Sequence, residues 1–307
     1  MRILILGAGA TGGYFGGRLL AAGRDVTFLV RPKRADALAR TGLILRSRFG
    51  NVELHAPPTV TSATLNEPFD LIMLSSKAYD LNAAMDAIAP AVGSRTAILP
   101  LLNGMRHIDL LKARFGAEHV LGGWAMISAV LDDEGCINHL NDLHGLIFGE
   151  LSGERTARAE AMYAELSGVG FESHLSDAIL HEMWEKWVFI ASLAGITCVM
   201  RAPIGDVVAS NGEDFALGLL DECEAISAAE GYSTSEAFMA RNRTMLTAPD
   251  SPLTASMLRD IERGAPIEAD QIVGDLLRRG GEHALTSPML RIAYTHLKAY
   301  EFRRRSG

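Results

Sequence analysis

Residues 2–31 read RILILGAGATGGYFGGRLLAAGRDVTFLVR. A short apolar strand runs into three glycines spaced Gly7-x-Gly9-x-x-Gly12, and a helix and a second strand follow. The glycine spacing alone is a weak signal, but these flanking elements are those of a dinucleotide-binding βαβ unit. The glycines permit a tight turn, close approach of the backbone to a pyrophosphate, and close packing of helix on strand. We therefore expect a dinucleotide at the helix N-terminus, against Gly7, Ala8, Gly9, Ala10, Thr11 and Gly12, the alternative being a glycine turn without ligand.

The residues after the second strand distinguish the two nicotinamide dinucleotides. An NAD site carries Asp or Glu there, to hold the ribose 2′-hydroxyl. This chain instead has Arg31, Lys33 and Arg34. A guanidinium binds phosphate oxygens in a two-pronged manner. We therefore expect the cofactor to be NADP, with Arg31 at its 2′-phosphate, the alternative being a solvated basic turn.

Strands and helices continue to alternate through the first half of the chain. LILRS and VELHA predict a hairpin-like insertion, and further strands end near Lys77 and Asn103. Because ligands bind at the carboxyl ends of strands in open α/β sheets, Lys77 and Asn103 are predicted to contact the cofactor. From Ser176, a candidate helix cap followed by Asp177, the pattern is helical. The predicted fold is α/β, with a Rossmann-type dinucleotide-binding domain over residues 1–175 and an all-helical domain over 176–307.

Composition narrows the class of protein. A chain that is 48% hydrophobic and 21% charged is typical of soluble globular proteins, and its apolar runs are interrupted by charges, so no membrane span is expected. A net charge of −8 argues against nucleic-acid binding. The three separated cysteines and scattered histidines predict reduced thiols in the cytoplasm and no metal site. Long apolar helices, such as the one predicted at 215–231, could bury a homodimer face.

Lysine is rare in this chain, with 5 lysines against 24 arginines, and one of them lies in an apolar stretch. Residues 183–197 read MWEKWVFIASLAGIT, which places Lys186 on one helix face with Ile190 and Ala194. A lysine can release a proton and an arginine cannot, so Lys186 is a candidate proton donor, the alternative being a snorkelling surface lysine. Ser256 is expected within a helix ending at Gly264, and Glu268 in the first turn of the next helix.

Together these residues, in this order, resemble the ketopantoate reductase (2-dehydropantoate 2-reductase) family over essentially the whole chain. The resemblance implies that the glycine turn and Arg31 hold NADP and that Lys77 and Asn103 line its nicotinamide side. The segment around Ser128 and Ala129 would also touch the cofactor. The resemblance further implies catalytic roles for Lys186, as proton donor, and Glu268, near the lysine, and substrate binding by Asn103, Lys186 and Ser256.

The chain also departs from this family at the substrate end. Well-known members carry asparagines where this chain has Ile190, Ala194 and Ile204. The predicted function is NADPH-dependent reduction of a 2-oxo acid, foremost 2-dehydropantoate to pantoate in pantothenate biosynthesis. The alternatives are a reductase of another 2-oxo acid or ester and a non-catalytic NADP-binding regulator.

Overall fold

The computed structural model describes residues 1–306, with side chains except at residues 284 and 285. The chain divides into two compact units, one of Met1–Leu102 with His107–Leu180, the other of Asn103–Arg106 with the chain from His181 onward. The division therefore falls five residues after the predicted boundary at 175. It also assigns the loop Asn103–Arg106 to the second unit, where the Gln271 side-chain amide donates to the Asn103 carbonyl at 2.8 Å.

The strands belong to the first unit and form two sheets. In residues 1–306 they are β1 (Arg2–Leu6), β2 (Asp25–Leu29), β3 (Leu43–Arg46), β4 (Val52–Leu54), β5 (Thr59–Val60), β6 (Leu71–Leu74), β7 (Ala97–Pro100), β8 (Leu121–Leu131), β9 (Cys136–Glu150) and β10 (Glu172–Leu175). The first sheet is parallel, in the order β5-β2-β1-β6-β7. Ile5 pairs with Phe28 and Met73, and all three are fully buried, as expected for a parallel sheet covered on both faces. This is the predicted Rossmann-type sheet.

The second sheet has the order β10-β9-β3-β4, with β8 paired to β9. The predicted hairpin is present, since β3 and β4 are antiparallel, but β3 also pairs with β9, so the hairpin extends this second sheet. β8 and β9 form a long antiparallel pair with an irregularity between Ile127 and Ala129. The pairing of β3 with β9 joins segments that are far apart in the chain, and the strand pattern alone does not indicate it.

Helices alternate with the strands up to β10, and the described chain after β10 is helical. Within the described residues they are α1 (Ala10–Ala21), α2 (Pro32–Thr41), α3 (Leu81–Ile88), α4 (Arg106–Phe115), α5 (Ala157–Leu166), α6 (Ile179–Met200), α7 (Ile204–Ala209), α8 (Glu213–Ala229), α9 (Glu236–Leu246), α10 (Ser256–Glu262), α11 (Asp275–Gly280) and α12 (Pro288–Ser306). A π-helical stretch covers Asp270–Gly274. Ser176 accepts a hydrogen bond from the Ala178 N–H at 3.0 Å, and α6 begins one residue later, so Asp177 precedes the helix rather than lying in its first turn.

Two long apolar helices, α6 and α8, contribute to the hydrophobic core. Among residues 1–306, α6 is the one helix that is long and apolar enough to cross a membrane by length and composition. However, 67% of its most apolar window is buried within the protein, and core helices of soluble proteins pass the same test. In α8 the apolar residues, including Leu219 and Leu220, are buried, and the helix packs against α11 and α12. The apolar face that suggested a homodimer is thus used inside the unit, and the dimer stays a prediction.

Candidate active site

The glycine turn between β1 and α1 leaves backbone N–H groups available to a ligand. Gly7 has φ +91°, a conformation that favours glycine, and its N–H donates to the Leu29 carbonyl at 2.9 Å. A Cβ at Gly12 would overlap the Ser75 hydroxyl and the Gly7 carbonyl, so this position needs glycine for packing. A Cβ at Gly9 would meet open space, and no described side chain caps α1 at this residue. The N-terminus of α1 therefore faces an opening with its donors unsatisfied, as a pyrophosphate site requires.

A cavity of about 380 Å³ lies beside this turn, within the first unit. Its wall includes Gly7, Ala8 and Gly9 from the turn, and Ser76 from the end of β6. The Ser76 hydroxyl is buried and has no hydrogen-bond partner among the residues that the structure describes. A buried polar group without a partner is costly, so this hydroxyl fits a site completed by a polar ligand. The cavity, the open turn and the orphaned hydroxyl fit a dinucleotide.

The three basic residues after β2 have separate positions. Arg31 precedes α2, lines the cavity, and pairs with Asp80 at 3.0 Å. Arg34 also lines the cavity, but its Nε and Nη2 donate to the Ala8 carbonyl at 3.2 and 3.0 Å, and burial lowers its pKa. Lys33 is exposed and is not among the described residues of the cavity wall. Arg31 is thus the basic side chain placed to meet an anionic ligand, while Arg34 supports the turn.

The other predicted cofactor contacts of the first unit lie near this cavity but outside its wall. Ser75 donates to the Leu6 carbonyl at 2.8 Å and so ties the ends of β6 and β1 together. Lys77 follows two residues later, is exposed, and begins the turn that leads to Asp80. Ala129 lies on β8, two residues before Leu131, which is part of the wall. Residues two apart on a strand share a face, so Ala129 lies on the side of β8 that faces the cavity.

A second, smaller cavity of about 90 Å³ lies within the second unit. It brings together three of the predicted site residues: Asn103, Ser256 and Glu268. Most of the remaining wall is apolar and consists of Ile190, Leu193, Ala194, Ala255, Met257 and Ile272. Residues from four distant segments therefore converge on one small pocket that has polar groups on some sides and hydrocarbon on the others.

The π-helical stretch holds this pocket together. Gly104 has φ +78°, and a Cβ there would lie 2.7 Å from the Gln271 carbonyl, so the loop after β7 must approach that stretch with a glycine. The Trp187 indole N–H of α6 donates to the Ile272 carbonyl at 2.8 Å. π-helical turns are frequent at functional sites because they displace side chains from the regular helical register. Here the π-helical stretch is hydrogen-bonded to both the Asn103 loop and α6.

The two residues predicted around α10 lie at different helical positions from those expected. Ser256 is the first residue of α10 rather than an interior one, because the preceding chain is extended: Ile204 N–H donates to the Leu253 carbonyl at 3.0 Å. Glu268 directly precedes the next helical segment rather than lying in its first turn, and its carbonyl accepts from the Ile272 N–H at 3.0 Å. Both side chains consequently sit at helix N-terminal ends, where N–H groups favour negative charge. Ile204 is fully buried and is not among the described residues of the pocket wall.

Lys186 lies on α6, one turn before Ile190 and on the same helix face as the pocket wall. It is half-buried, with the fully packed Trp184 and Trp187 beside it in the sequence. Burial lowers the pKa of its ammonium to about 8, the direction expected from its apolar setting. Lys186 itself is not among the described residues that line the 90 Å³ cavity. It is therefore an amine one helical turn from the pocket wall, with a pKa close to neutrality.

Metal chemistry and disulfides have no support in the described part of the chain. No group of three or more His, Cys, Asp or Glu side chains in residues 1–306 is placed to hold a metal ion. Cys136, Cys198 and Cys223 are free thiols.

Family models match both the strand-containing part and the helical part of this chain. The model "Ketopantoate reductase PanE/ApbA" matches residues 3–153, and its C-terminal counterpart matches residues 178–301. The chain belongs to the ketopantoate reductase family. It is 39% identical over 302 residues to the "Uncharacterized oxidoreductase YkpB" of Bacillus subtilis, covering 98% of this chain and 99% of that protein. It is therefore an oxidoreductase of this family, acting on a CH–OH group.

Solved structures of this family share the fold. A 2-dehydropantoate 2-reductase from Geobacter metallireducens matches with a TM-score of 0.87 and 28% identity, covering 97% of this chain and 99% of that one. A D-mandelate dehydrogenase with NADH and anilino(oxo)acetate matches with a TM-score of 0.88 and 23% identity, covering 99% and 100%. Membership of the ketopantoate reductase family supports a nicotinamide dinucleotide as the cofactor of this chain.

Proposed function

We propose that this protein uses NADPH to reduce a 2-oxo acid to the 2-hydroxy acid, with Lys186 as proton donor and 2-dehydropantoate as the first substrate to test. The observation that carries the proposal is the half-buried Lys186, with its pKa lowered to about 8, on the α6 face that also forms the pocket of Asn103, Ser256 and Glu268. An enzyme that makes an alcohol from a ketone needs a group that is charged at neutral pH and still able to release its proton. Lysine in this environment meets both conditions.

The proposed reaction assigns separate tasks to the side chains. When bound, the reduced dinucleotide supplies the hydride. The Lys186 ammonium transfers a proton to the former ketone oxygen, and water reprotonates the resulting amine. Asn103 and Ser256 would donate hydrogen bonds to the carboxylate and carbonyl oxygens of the substrate. Glu268, at a helix N-terminus, would favour the charged form of the lysine between turnovers.

Arg31 supports the choice of NADPH over NADH. It lines the dinucleotide cavity directly after β2, where a carboxylate would bind the ribose hydroxyl of NADH in an NAD site. A guanidinium there suits a 2′-phosphate in both charge and shape. The three free cysteines, finally, support the proposal of a reducing, cytoplasmic location.

The apolar pocket walls favour a second candidate substrate class. Ile190 and Ala194 stand where the resemblance implies asparagines that bind the substrate of the family. Leu193 and Ile272 add further hydrocarbon to the same wall. A buried polar group without a partner costs about 1–3 kcal/mol, so a hydroxylated substrate would be penalised here unless it reaches Asn103 or Ser256. The second candidate is therefore a 2-oxo acid with a branched, apolar side chain.

One substrate panel tests both candidates. Ketopantoate and 2-oxoisovalerate differ by a hydroxymethyl group, and NADPH absorbance follows the reduction of either. Faster turnover of ketopantoate supports the first candidate, and faster turnover of 2-oxoisovalerate supports the second. A protein that binds NADPH tightly but reduces no 2-oxo acid would instead be a non-catalytic regulator, and the proposed function would fail.

A further inference from the structure

The dinucleotide cavity contains a carboxylate as well as its expected guanidinium. Arg31 and Asp80 both belong to the cavity wall, and Arg31 Nη2 lies 3.0 Å from Asp80 Oδ2. The Arg31 side chain is 82% exposed and the Asp80 side chain 43% exposed, so a ligand can reach both. Asp80 comes from the turn after β6, three residues after Lys77, and not from the end of β2 where an acidic residue is usually sought.

Among the described residues, Arg31 is the partner given for the Asp80 carboxylate. Asp80 precedes α3, but its side chain makes no capping hydrogen bond to that helix among the described residues. The turn is closed by the backbone instead, since the Asp80 N–H donates to the Lys77 carbonyl at 3.0 Å. The second arginine of the wall, Arg34, has Nε and Nη2 committed to the Ala8 carbonyl. The Arg31–Asp80 pair is therefore a solvent-exposed charge pair in the cavity wall.

An exposed pair of this kind is weak and can be exchanged for a better partner. Such ion pairs contribute roughly 0–1 kcal/mol, because water and salt screen them. A 2′-phosphate that binds Arg31 would compete with Asp80 for the guanidinium and would be repelled by the nearby carboxylate. A ribose 2′-hydroxyl, in contrast, could donate a hydrogen bond to the same carboxylate. One residue thus opposes NADPH and favours NADH.

We propose that Asp80 sets the cofactor preference of this protein, by competing with the 2′-phosphate of NADPH for Arg31 and by offering NADH an acceptor for its 2′-hydroxyl. The inference rests on the proposed function, in which Arg31 receives the 2′-phosphate. It predicts that the affinities of the unaltered protein for NADPH and NADH differ by less than the basic residues after β2 would suggest. Asp80 acts here as a specificity-determining residue on the cofactor side.

The test is equilibrium binding of NADPH and NADH, followed by nucleotide fluorescence, to the unaltered protein and to Asp80→Asn. The variant should bind NADPH about fivefold more tightly, the factor expected for loss of one screened charge repulsion. Its affinity for NADH should stay the same or fall. Asp86→Asn is the matched control, because Asp86 lies on α3 in an exposed pair with Arg114 at 3.0 Å and is absent from the described cavity wall. This control removes the same charge and should leave both affinities unchanged.

The outcomes separate this inference from the proposed function. An Asp80→Asn variant whose two affinities are unchanged, or change by the same factor, overturns the role of Asp80 alone. An equal gain in NADPH affinity in Asp86→Asn reduces the effect to net charge and also overturns it. If the unaltered protein binds neither nucleotide, the proposed function and this inference fail together.

Discussion

The cavity beside the glycine turn and the 90 Å³ pocket lined by α6 are formed by different kinds of residues. More than half of the wall residues of the first lie in one short stretch of chain, from Leu6 to Arg34, and later elements add residues such as Ser76 and Asp80. The second is formed by side chains from segments as distant as Asn103 and Glu268. Binding of a common cofactor can be encoded locally, because backbone N–H groups and glycine torsions do most of the work. Recognition of a particular substrate requires side chains that only the tertiary fold assembles.

The two sites also treat their positive charges differently. Arg31 is 82% exposed and keeps its guanidinium in water, as a group that only has to attract an anion. Lys186 is half-buried, and burial lowers its pKa to about 8. An exposed guanidinium stays charged and accessible to an anion, whereas partial desolvation lowers the pKa of an amine and so helps it to release a proton. Substitutions in the two sites can test this division.

Replacing the half-buried lysine should slow the chemical step and leave cofactor binding intact. Lys186→Ala should lower kcat by about 10²–10⁴-fold, the usual contribution of a general acid. The affinity for NADPH should remain unchanged, because the proposed cofactor contacts of the glycine turn lie in the first unit. Assays of 2-oxo acid reduction measure kcat, and fluorescence titration measures the affinity for NADPH. Lys112→Ala, which removes an exposed lysine on α4, serves as the control and should leave both unchanged. A near-normal kcat in Lys186→Ala would make the lysine a packing residue only.

The glycine turn can be probed at two positions that differ in their surroundings. At Gly9 a Cβ meets open space, so Gly9→Ala should keep its melting temperature within about 1–2 °C and yet bind dinucleotide at least about tenfold more weakly. At Gly12 a Cβ overlaps Ser75 and the Gly7 carbonyl, so Gly12→Ala should lose about 1–3 kcal/mol of stability. Calorimetry and nucleotide titration on both variants separate ligand approach from packing. Unchanged nucleotide affinity in Gly9→Ala would remove the pyrophosphate from this turn.

The same contrast explains what the sequence could predict. The βαβ unit, the sheet it begins and the helical second half were predictable because hydrophobic periodicity and glycine spacing are local signals. Lys186 stood out because lysine is rare here and its neighbours are apolar. Asp80 was missed because it follows a different strand, and only the sheet order β2-β1-β6 brings it near Arg31. The roles of Ser256 and Glu268 came from the family resemblance, since a helix-end hydroxyl or carboxylate carries no distinctive pattern of its own.

The lowered pKa of Lys186 predicts the direction of two pH effects. Reduction needs the protonated amine, so kcat should be level at lower pH and should fall about tenfold per unit as pH rises beyond about 8. The folded pKa lies below the ordinary value of 10.5, so the unfolded chain binds more protons between those two values. This residue therefore makes stability rise with pH from about 8 to 10.5. Lys186→Met should lose that rise in a series of melts, and a kcat that is level through pH 9.5 in the unaltered enzyme would exclude Lys186 as the acid.

The smallest effect concerns the hydrocarbon wall of the pocket, where the family resemblance implies asparagines. Ala194→Asn places an amide beside the 90 Å³ cavity, where a substrate hydroxyl could accept or donate a hydrogen bond. Because one such bond contributes about 0.5–1.5 kcal/mol, the ratio of kcat/KM for ketopantoate to that for 2-oxoisovalerate should rise by up to about tenfold. Leu193→Asn is the control, because it adds the same amide at a neighbouring wall position where the resemblance implies no asparagine. Melting curves check that both variants fold. An equal rise in both variants would show that any polar wall suffices. A rise in Ala194→Asn alone would show that this chain's apolar α6 face, and not its cofactor cavity, sets which 2-oxo acid it prefers.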